Sequence, residues 1–210
     1  MNIVETIEFD AVVMPKNKKR RVSKSKAFLL FSLIFLILTV VLSPKITKEM
    51  DLTLYPIKYS EYVEKYSSLN NLPKTFVYAL ILSESSFQPD AVSEVNAIGL
   101  MQITEETFEW IKFKMNDENE NNTSFTDLFN PETNIKYGTF LLRLHLDEFK
   151  SEKNVLAAYH AGRGQLKAWL SDNAYSKDGL NLDEIPSKKT NHYVHKVLKS
   201  KEKYQELYFD

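Results

Sequence analysis

The sequence predicts an all-α protein, with one mostly helical domain that follows a single apolar segment near the N-terminus. Apolar residues recur at helical spacing through most of the chain, and helix-start signals precede several of these runs. No pair of alternating apolar and polar stretches indicates a β-hairpin. The 210 residues are 43% hydrophobic and 26% charged, which is ordinary for a folded protein and excludes a disordered or collagen-like chain.

The overall charge is close to neutral, with 27 basic and 28 acidic side chains. A nucleic-acid-binding domain usually carries a clear basic excess, so the composition argues against that class. There is no cysteine, which excludes disulfides, thiolate metal sites and cysteine nucleophiles. The charge is unevenly distributed, because residues 1–26 carry seven basic and three acidic side chains while the remainder is acidic overall. The two regions are therefore expected to face different surroundings.

An uncharged segment, residues 27–42, separates these two regions. As a helix it would rise about 24 Å, which is short for a bilayer core of about 30 Å unless flanking residues extend it. It lacks the small residues that precede a signal-peptidase cleavage site, and it lacks the polar stripe of a core helix. The sequence therefore predicts a transmembrane signal anchor over 27–43. Positive charges stay inside, so residues 1–26 are predicted to be a cytoplasmic tail of a single-pass cell-membrane protein.

Residues 44–55, bracketed by Pro44 and Pro56, are predicted to be a linker, and the domain is predicted to occupy 56–210. Its first helix is indicated by apolar residues spaced three and four apart, namely Tyr59, Tyr62, Val63, Tyr66 and Leu69. A second helix follows Pro73, which suits a first helical turn. This helix is almost continuously apolar from Thr75 to Ser83, which predicts burial.

Residues 86–103 are predicted to be a loop, since they contain Pro89, Asn96 and Gly99. Thr104, followed by two acids, is an N-cap signal for the next helix. Asn130 and Pro131 are an N-cap and a first-turn proline, and they predict another helix. Further helices are predicted over 152–161, 164–171 and 187–207.

Glu84 lies where the apolar helix ends and the loop begins. A carboxyl group at the end of a buried helix is partly removed from water, which raises its pKa toward neutrality. A general acid that protonates a glycosidic oxygen near neutral pH needs such a pKa. By itself this position is weak evidence, because a glutamate at a helix end is more often a solvated surface group.

The residues around Glu84 strengthen its interpretation as a general acid. Residues 84–93 read ESSFQPDAVS, and residues 97–102 read AIGLMQ. Together they resemble the catalytic motif of the soluble lytic transglycosylase family, the lysozyme-like glycoside hydrolase family 23. That motif runs Glu-Ser-x-Phe-x-Pro-x-Ala-x-Ser and then Ala-x-Gly-Leu-Met-Gln, and every fixed position is filled here. The resemblance implies a lysozyme-like, mostly helical domain of the α+β lysozyme superfamily.

Three more blocks extend the resemblance over roughly residues 57–200. They are Asn134-Ile135-x-x-Gly138, then Ala158-Tyr159-His160-Ala161-Gly162, then Thr190-x-x-Tyr193-Val194. The chain also departs from the family. Asn96 stands where glycine is common, and asparagine tolerates a left-handed backbone. His160 replaces the usual asparagine, while Lys189 and Asn191 replace a usual glutamate and arginine.

The resemblance implies a catalytic role for Glu84. Glu84 would protonate the bond between N-acetylmuramic acid and N-acetylglucosamine, and would then take the proton of the muramic C6 hydroxyl as that oxygen attacks C1. The product would be 1,6-anhydro-muramic acid, and no water would be consumed. One carboxylate can then suffice, whereas hydrolytic glycosidases use two.

The resemblance also implies which residues contact substrate. Those expected to line the glycan groove are Ser85, Ser93, Met101, Gln102, Tyr159, His160 and Tyr193. For Ser85 a helix cap, and for Met101 an ordinary core position, are equally good interpretations. Phe87 and Leu100 are expected in the core. His145 is expected to be a surface histidine, and neither a metal site nor a cofactor is predicted.

Three functional hypotheses stay open on the sequence. The first is a membrane-anchored lytic transglycosylase, whose partners are peptidoglycan glycan strands and envelope-machinery proteins. The second keeps the fold but uses water as the attacking group, which makes the protein a muramidase. The third is a catalytically weak glycan-binding or scaffold module of an envelope machine. The intact Glu84, Gln102 and Tyr193 favour an enzyme.

Overall fold

The computed structural model of the protein describes residues 24–116 and 122–209. The predicted basic tail therefore lies almost wholly outside the described residues. Within them the chain is mostly helical and forms no named strand, as the sequence predicts. The helices are α1 (Lys24–Leu54), α2 (Ser60–Leu69), α3 (Lys74–Ser85), α4 (Glu105–Met115), a 3₁₀ helix (Phe125–Phe129), α5 (Pro131–Phe149), α6 (Glu152–Ala161), α7 (Arg163–Leu170) and α8 (Lys188–Tyr208).

The chain divides into two compact units, Met1–Lys48 and Glu49–Asp210. In the first unit, α1 carries exposed apolar side chains along residues 28–37. Across the stretches 24–116 and 122–209, no helix combines the length and the apolar character needed to cross a membrane.

The second unit begins before the predicted domain boundary at residue 56. Residues 44–55, predicted to be a linker, are helical as far as Leu54. Two contacts with α8 explain why the unit starts early. Asp51 pairs with Lys203 at 2.8 Å, and the Tyr208 hydroxyl donates to the carbonyl oxygen of Tyr55 at 2.7 Å.

The predicted cap residues start the helices of the second unit. The side chain of Thr104 accepts a hydrogen bond from the Thr107 amide at the start of α4. Asn130 accepts one from the Thr133 amide at the start of α5, where Pro131 fills the first position. These bonds satisfy amides that a helix start leaves without partners.

The core surrounds α3, whose side chains are buried from Thr75 to Ile81. This helix packs against α2 and α8, while α5 packs against α2, α6 and the 3₁₀ helix. Aromatic rings fill the space between α3 and α8, where Tyr78 stacks on Tyr204 with ring centroids 5.5 Å apart. Phe87 and Leu100 belong to the same core, as expected. These contacts hold α3 against α8.

Candidate active site

Glu84 lies in the last turn of α3, and the next residues turn the chain sharply into the loop. Ser86 and Phe87 both adopt left-handed backbone angles, with φ of 52° and 63°. Because α3 is buried, its last turn places Glu84 against α8 rather than in open solvent. The hydroxyl of Tyr193 on α8 donates a hydrogen bond to Oε1 of Glu84 at 2.5 Å.

Burial raises the pKa of Glu84 to about 7, while the hydrogen bond from Tyr193 and the positive charge of Lys196 oppose this rise. Burial and the negative charge of Glu84 raise the pKa of Tyr193 well above its usual value, so the phenol keeps its proton and acts as the donor. A carboxyl group with a pKa near 7 populates both protonation states at neutral pH. It can therefore give up a proton and later accept one.

Ser85 faces the interior, not a groove. Its side chain is 8% exposed, and its hydroxyl donates to the carbonyl oxygen of Leu100 at 2.8 Å. The structure therefore differs from the expected substrate contact, because the next position on the helix after Glu84 turns toward the core. Ser85 instead ties the end of α3 to the loop.

Met101 is also a core residue, with no exposed side-chain surface. Its side chain packs at Gly138 on α5. Its backbone amide donates to Oδ1 of Asn134 at 2.7 Å, and its carbonyl oxygen accepts from the Tyr159 hydroxyl at 2.6 Å. Of the two interpretations of Met101, the structure favours the core position, since close packing against a glycine buries that side chain.

Ser93 and Gln102 are half-buried, and both shape the loop. The hydroxyl of Ser93 accepts from the Ala97 amide at 3.0 Å. The Gln102 side-chain amide donates to the carbonyl oxygens of Ala91 and Gly99, at 3.1 and 2.9 Å. Gln102 also lines a cavity beside the loop. Of the loop residues predicted from the sequence, Gln102 is the one placed beside open space.

Tyr159 and His160 lie near the end of α6 and make hydrogen bonds to different partners. The Tyr159 hydroxyl bonds to Met101, as described above. Burial, followed by the negative charge of Glu84, raises the pKa of Tyr159 well above its usual value. Nδ1 of His160 lies 3.1 Å from the Thr190 hydroxyl on α8, and the imidazole lies against the Tyr193 ring. The structure thus brings Tyr159, His160 and Tyr193 together beside Glu84.

A cavity of about 430 Å³ opens beside Tyr159, which is the member of this group that lines it. Its lining comes from the loop, α4, α5 and the junction of α6 and α7, and includes Gln102, Thr104, Trp110, His145, Tyr159 and Gly162. Trp110 presents an aromatic surface there, of the kind that stacks on sugar rings. The cavity suits a polar ligand of the size of one or two sugar units.

His145 is buried, contrary to the expectation of a surface histidine. It is 4% exposed and lies among the rings of Trp110, Phe149 and Tyr159. Burial lowers the pKa of His145 to about 4, so the imidazole is neutral at neutral pH. Its position on α5 follows the apolar face of that helix, which the spacing after Leu141 and Leu142 already marked.

Three residues near the site were not singled out from the sequence. Lys196 lies one turn after Tyr193 on α8, so helical spacing could have found it. Thr190 and Asn134 were noted only as motif positions. The structure shows that Asn134 is fully buried and donates to the carbonyl oxygens of Ile98 and Leu128. It fastens the loop to α5.

Comparison with known proteins shows the family to which the chain is similar. The family model described as the transglycosylase SLT domain matches residues 61–181, more than half of the chain. The soluble lytic murein transglycosylase of Escherichia coli is 31% identical over 146 residues, which cover 69% of this chain and 22% of that protein. The membrane-bound lytic murein transglycosylase C of Haemophilus ducreyi is 29% identical, covering 70% of this chain and 45% of that protein.

A solved structure agrees with these matches. It is the X-ray structure of an inactive glutamate-to-glutamine mutant of the lytic transglycosylase Slt from Pseudomonas aeruginosa. It is 28% identical with a TM-score of 0.63, and the match covers 73% of this chain and 25% of that one. The chain therefore spans less than half of the length of each of these relatives. The chain belongs to the transglycosylase SLT domain family.

Proposed function

We propose that the protein is a membrane-anchored peptidoglycan lytic transglycosylase. It cleaves the β-1,4 bond between N-acetylmuramic acid and N-acetylglucosamine and leaves a 1,6-anhydro-muramic acid end. The observation that carries this proposal is the hydrogen bond between the partly buried Glu84 and Tyr193, with a glutamate pKa near 7. The names of the relatives, which include soluble and membrane-bound murein transglycosylases, support the substrate class.

In the proposed reaction, protonated Glu84 gives its proton to the glycosidic oxygen, and the bond from that oxygen to C1 of muramic acid breaks. The resulting carboxylate is stabilised by the Tyr193 hydroxyl and by the charge of Lys196. It then takes the proton of the C6 hydroxyl while the C6 oxygen bonds to C1. Glu84 ends protonated, as it began, and no water enters the reaction.

The surroundings of Glu84 favour this route over hydrolysis. A hydrolytic glycosidase uses a second carboxylate as the nucleophile or the base that activates water. Among the described residues, the side chains that shift the pKa of Glu84 are a tyrosine and a lysine, and no second carboxylate does so. An attacking hydroxyl on the substrate itself removes the need for one.

The residues around the cavity are proposed to bind the glycan strand. Gln102, Tyr159 and Trp110 would contact sugars directly, since they line the open space. Ser93 would contribute through the shape of the loop and through its partly exposed hydroxyl. Ser85 and Met101 are proposed to act by holding the loop in place, because their side chains are buried.

The test is mass spectrometry of purified peptidoglycan digested by the full-length chain in mild detergent. Products with 1,6-anhydro-muramic ends, absent with Glu84→Gln, are expected. Products one water heavier, with reducing muramic ends, would instead identify a muramidase. Binding without cleavage would identify a scaffold module. Continued cleavage by the Glu84→Gln variant would show that Glu84 is not the acid.

The membrane anchor is a separate part of the proposal. Its support is the uncharged sequence of residues 27–43, the basic residues before it, and the exposed apolar side chains of α1 between Phe28 and Ile37. A helix that is apolar on all sides and exposed needs an apolar environment. Anchoring would hold the catalytic unit on the outer face of the membrane, within reach of the wall and of envelope proteins.

Membrane association is tested by alkaline extraction of membranes from cells that express the full-length chain. The chain is expected to remain in the membrane pellet, and a variant with Leu33→Arg and Leu36→Arg is expected to be extracted. Release of the unmodified chain into the supernatant would contradict the anchor and would leave the proposed reaction untouched.

A further inference from the structure

His160 is the residue at which this chain departs from the family motif inside the site, and it makes two contacts with α8. Nδ1 lies 3.1 Å from the Thr190 hydroxyl oxygen. The imidazole ring also lies on the Tyr193 ring, with centroids 4.6 Å apart and planes tilted by 36°. Thr190 and Tyr193 are three positions apart, so they share one face of α8, and His160 spans both.

Tyr193 is held at two places. Its hydroxyl is fixed by the hydrogen bond to Glu84, and one face of its ring is covered by the imidazole. A buried tyrosine ring that loses its neighbour on that face has more room to change its side-chain torsions. The hydroxyl would then spend less time at the donor position, because the ring and the hydroxyl move as one rigid group.

We propose that His160 is a positioning residue, whose ring holds the Tyr193 phenol in the orientation that donates to Glu84. This inference rests on the proposed role of Glu84 as the acid. It assigns His160 a different task from direct contact with the sugar, since Nδ1 is already engaged by Thr190 and the ring face by Tyr193.

The electrostatics of His160 fit this task. Partial burial and the positive charge of Lys189 lower the pKa of the His160 imidazole, so the ring is neutral at neutral pH. A neutral ring packs on the phenol without adding a charge beside Glu84. Lys189 also differs from the residue that is usual in the family motif. Its charge acts on His160, the other residue that differs.

The hydrogen bond from Tyr193 lowers the pKa of Glu84 against the larger effect of burial. Weakening that bond therefore moves the pKa of Glu84 upward. This gives a readout that does not depend on enzymatic activity. It also distinguishes positioning from a general loss of stability, because a partly unfolded site would expose Glu84 and move its pKa downward.

The experiment uses the full-length chain in detergent with His160→Ala, His160→Phe and His160→Asn, each alone and combined with Tyr193→Phe. The pKa of Glu84 is measured by carboxyl carbon NMR, and kcat and KM are measured on purified peptidoglycan. His195→Ala is the matched control, because His195 lies on the same helix and its side chain is exposed.

His160→Ala and His160→Asn are expected to raise the pKa of Glu84 and to lower kcat, by up to about 100-fold, with little change in KM. His160→Phe, which keeps a ring on Tyr193, is expected to retain the pKa and most of kcat. In the Tyr193→Phe background, His160→Ala is expected to cause no further shift in pKa, because the two residues act through the same hydrogen bond.

Two results would overturn the proposal. One is an unchanged pKa of Glu84 in His160→Ala with an increase in KM alone, which would make His160 a substrate contact. The other is wild-type behaviour of His160→Asn together with loss of kcat in His160→Phe, which would assign the effect to a hydrogen bond and not to the ring. If Glu84→Gln stays active, the proposed reaction fails, while the NMR comparison still tests the coupling of His160 to Tyr193.

Discussion

Met101 occupies the space that Gly138 leaves open. A Cβ atom added to Gly138 would overlap Sδ of Met101 and would lie 2.9 Å from its Cβ. The missing side chain on α5 thus lets the loop approach the helix closely. The backbone of Met101 also forms hydrogen bonds with Asn134 and Tyr159. The close packing of the loop on α5 and these bonds together fix the loop next to Glu84.

Replacing Gly138 with alanine is expected to destabilise the protein by about 1–3 kcal/mol, since an overfilled core strains its neighbours. Urea unfolding of the full-length chain, followed by tryptophan fluorescence, measures the change. Gly164→Ala is the matched control, because no atom lies within 4 Å of the added Cβ. That helical position should be unaffected or slightly stabilised. Equal effects at the two glycines would contradict the packing argument.

Asn134→Ala is expected to cost about 2–5 kcal/mol, because it leaves the Met101 amide and the carbonyl oxygens of Ile98 and Leu128 without their partner in the core. The same unfolding assay applies. Asn130→Ala removes one helix cap on the surface and should cost about 1 kcal/mol. A smaller loss at Asn134 than at Asn130 would show that the buried bonds contribute little.

The raised pKa of Glu84 makes stability depend on pH. Below pH 4.5 the carboxyl is protonated in both folded and unfolded chains. Between pH 4.5 and about 7 the unfolded chain loses its proton first, so folding stability falls by up to about 3 kcal/mol and then levels off. Glu84→Gln has no such group. Its stability relative to the unmodified protein is expected to rise over this interval.

Unfolding free energies of Glu84→Gln and of the parent protein are compared at pH 4.5 and at pH 8. A constant difference between the two proteins at both pH values would show that Glu84 is not desolvated. Glu94→Gln is the control, because that side chain is exposed on the loop.

His145 makes folding stability depend on pH in the opposite direction to Glu84. Its pKa is about 4 in the folded chain against 6.5 as the ordinary value, so the stabilisation is complete above pH 6.5 and is lost as pH falls toward 4. His145→Phe is expected to flatten this loss, which amounts to about 3 kcal/mol at most. Unfolding at pH 7 and at pH 4.5 tests it, with the exposed His192→Gln as control. Parallel pH profiles for all three proteins would refute the assignment.

Local signals predicted the helices well, because the caps are local chemistry. Thr104 and Asn130 bond to amides three residues away, and such pairs are visible in the sequence. The position of Glu84 at the end of the apolar helix α3 was also predictable, while its role as the acid stays a prediction. The direction of the Ser85 side chain could not be predicted. Ser85 is the next residue after Glu84 on α3, and its side chain points into the core.

The other differences from prediction depend on contacts that are distant in sequence. The spacing on α5 places His145 on the apolar face, but the rings of α4 and α6 that bury it are distant in sequence. The early start of the second unit depends on Lys203 and Tyr208, which lie near the far end of α8. A proline at position 44 indicated a boundary, but helix-forming residues after it continue the helix to Leu54.

The separation of Glu84 and Tyr193 by 109 positions also orders events during synthesis. At about 5–20 residues per second, Tyr193 is added roughly 5–20 s after Glu84. During that interval the growing chain contains Glu84 but not Tyr193, whose hydroxyl donates the hydrogen bond to it. Formation of the hydrogen bond between Glu84 and Tyr193 is therefore a late step in the making of the molecule, and it waits for α8 to dock on α3.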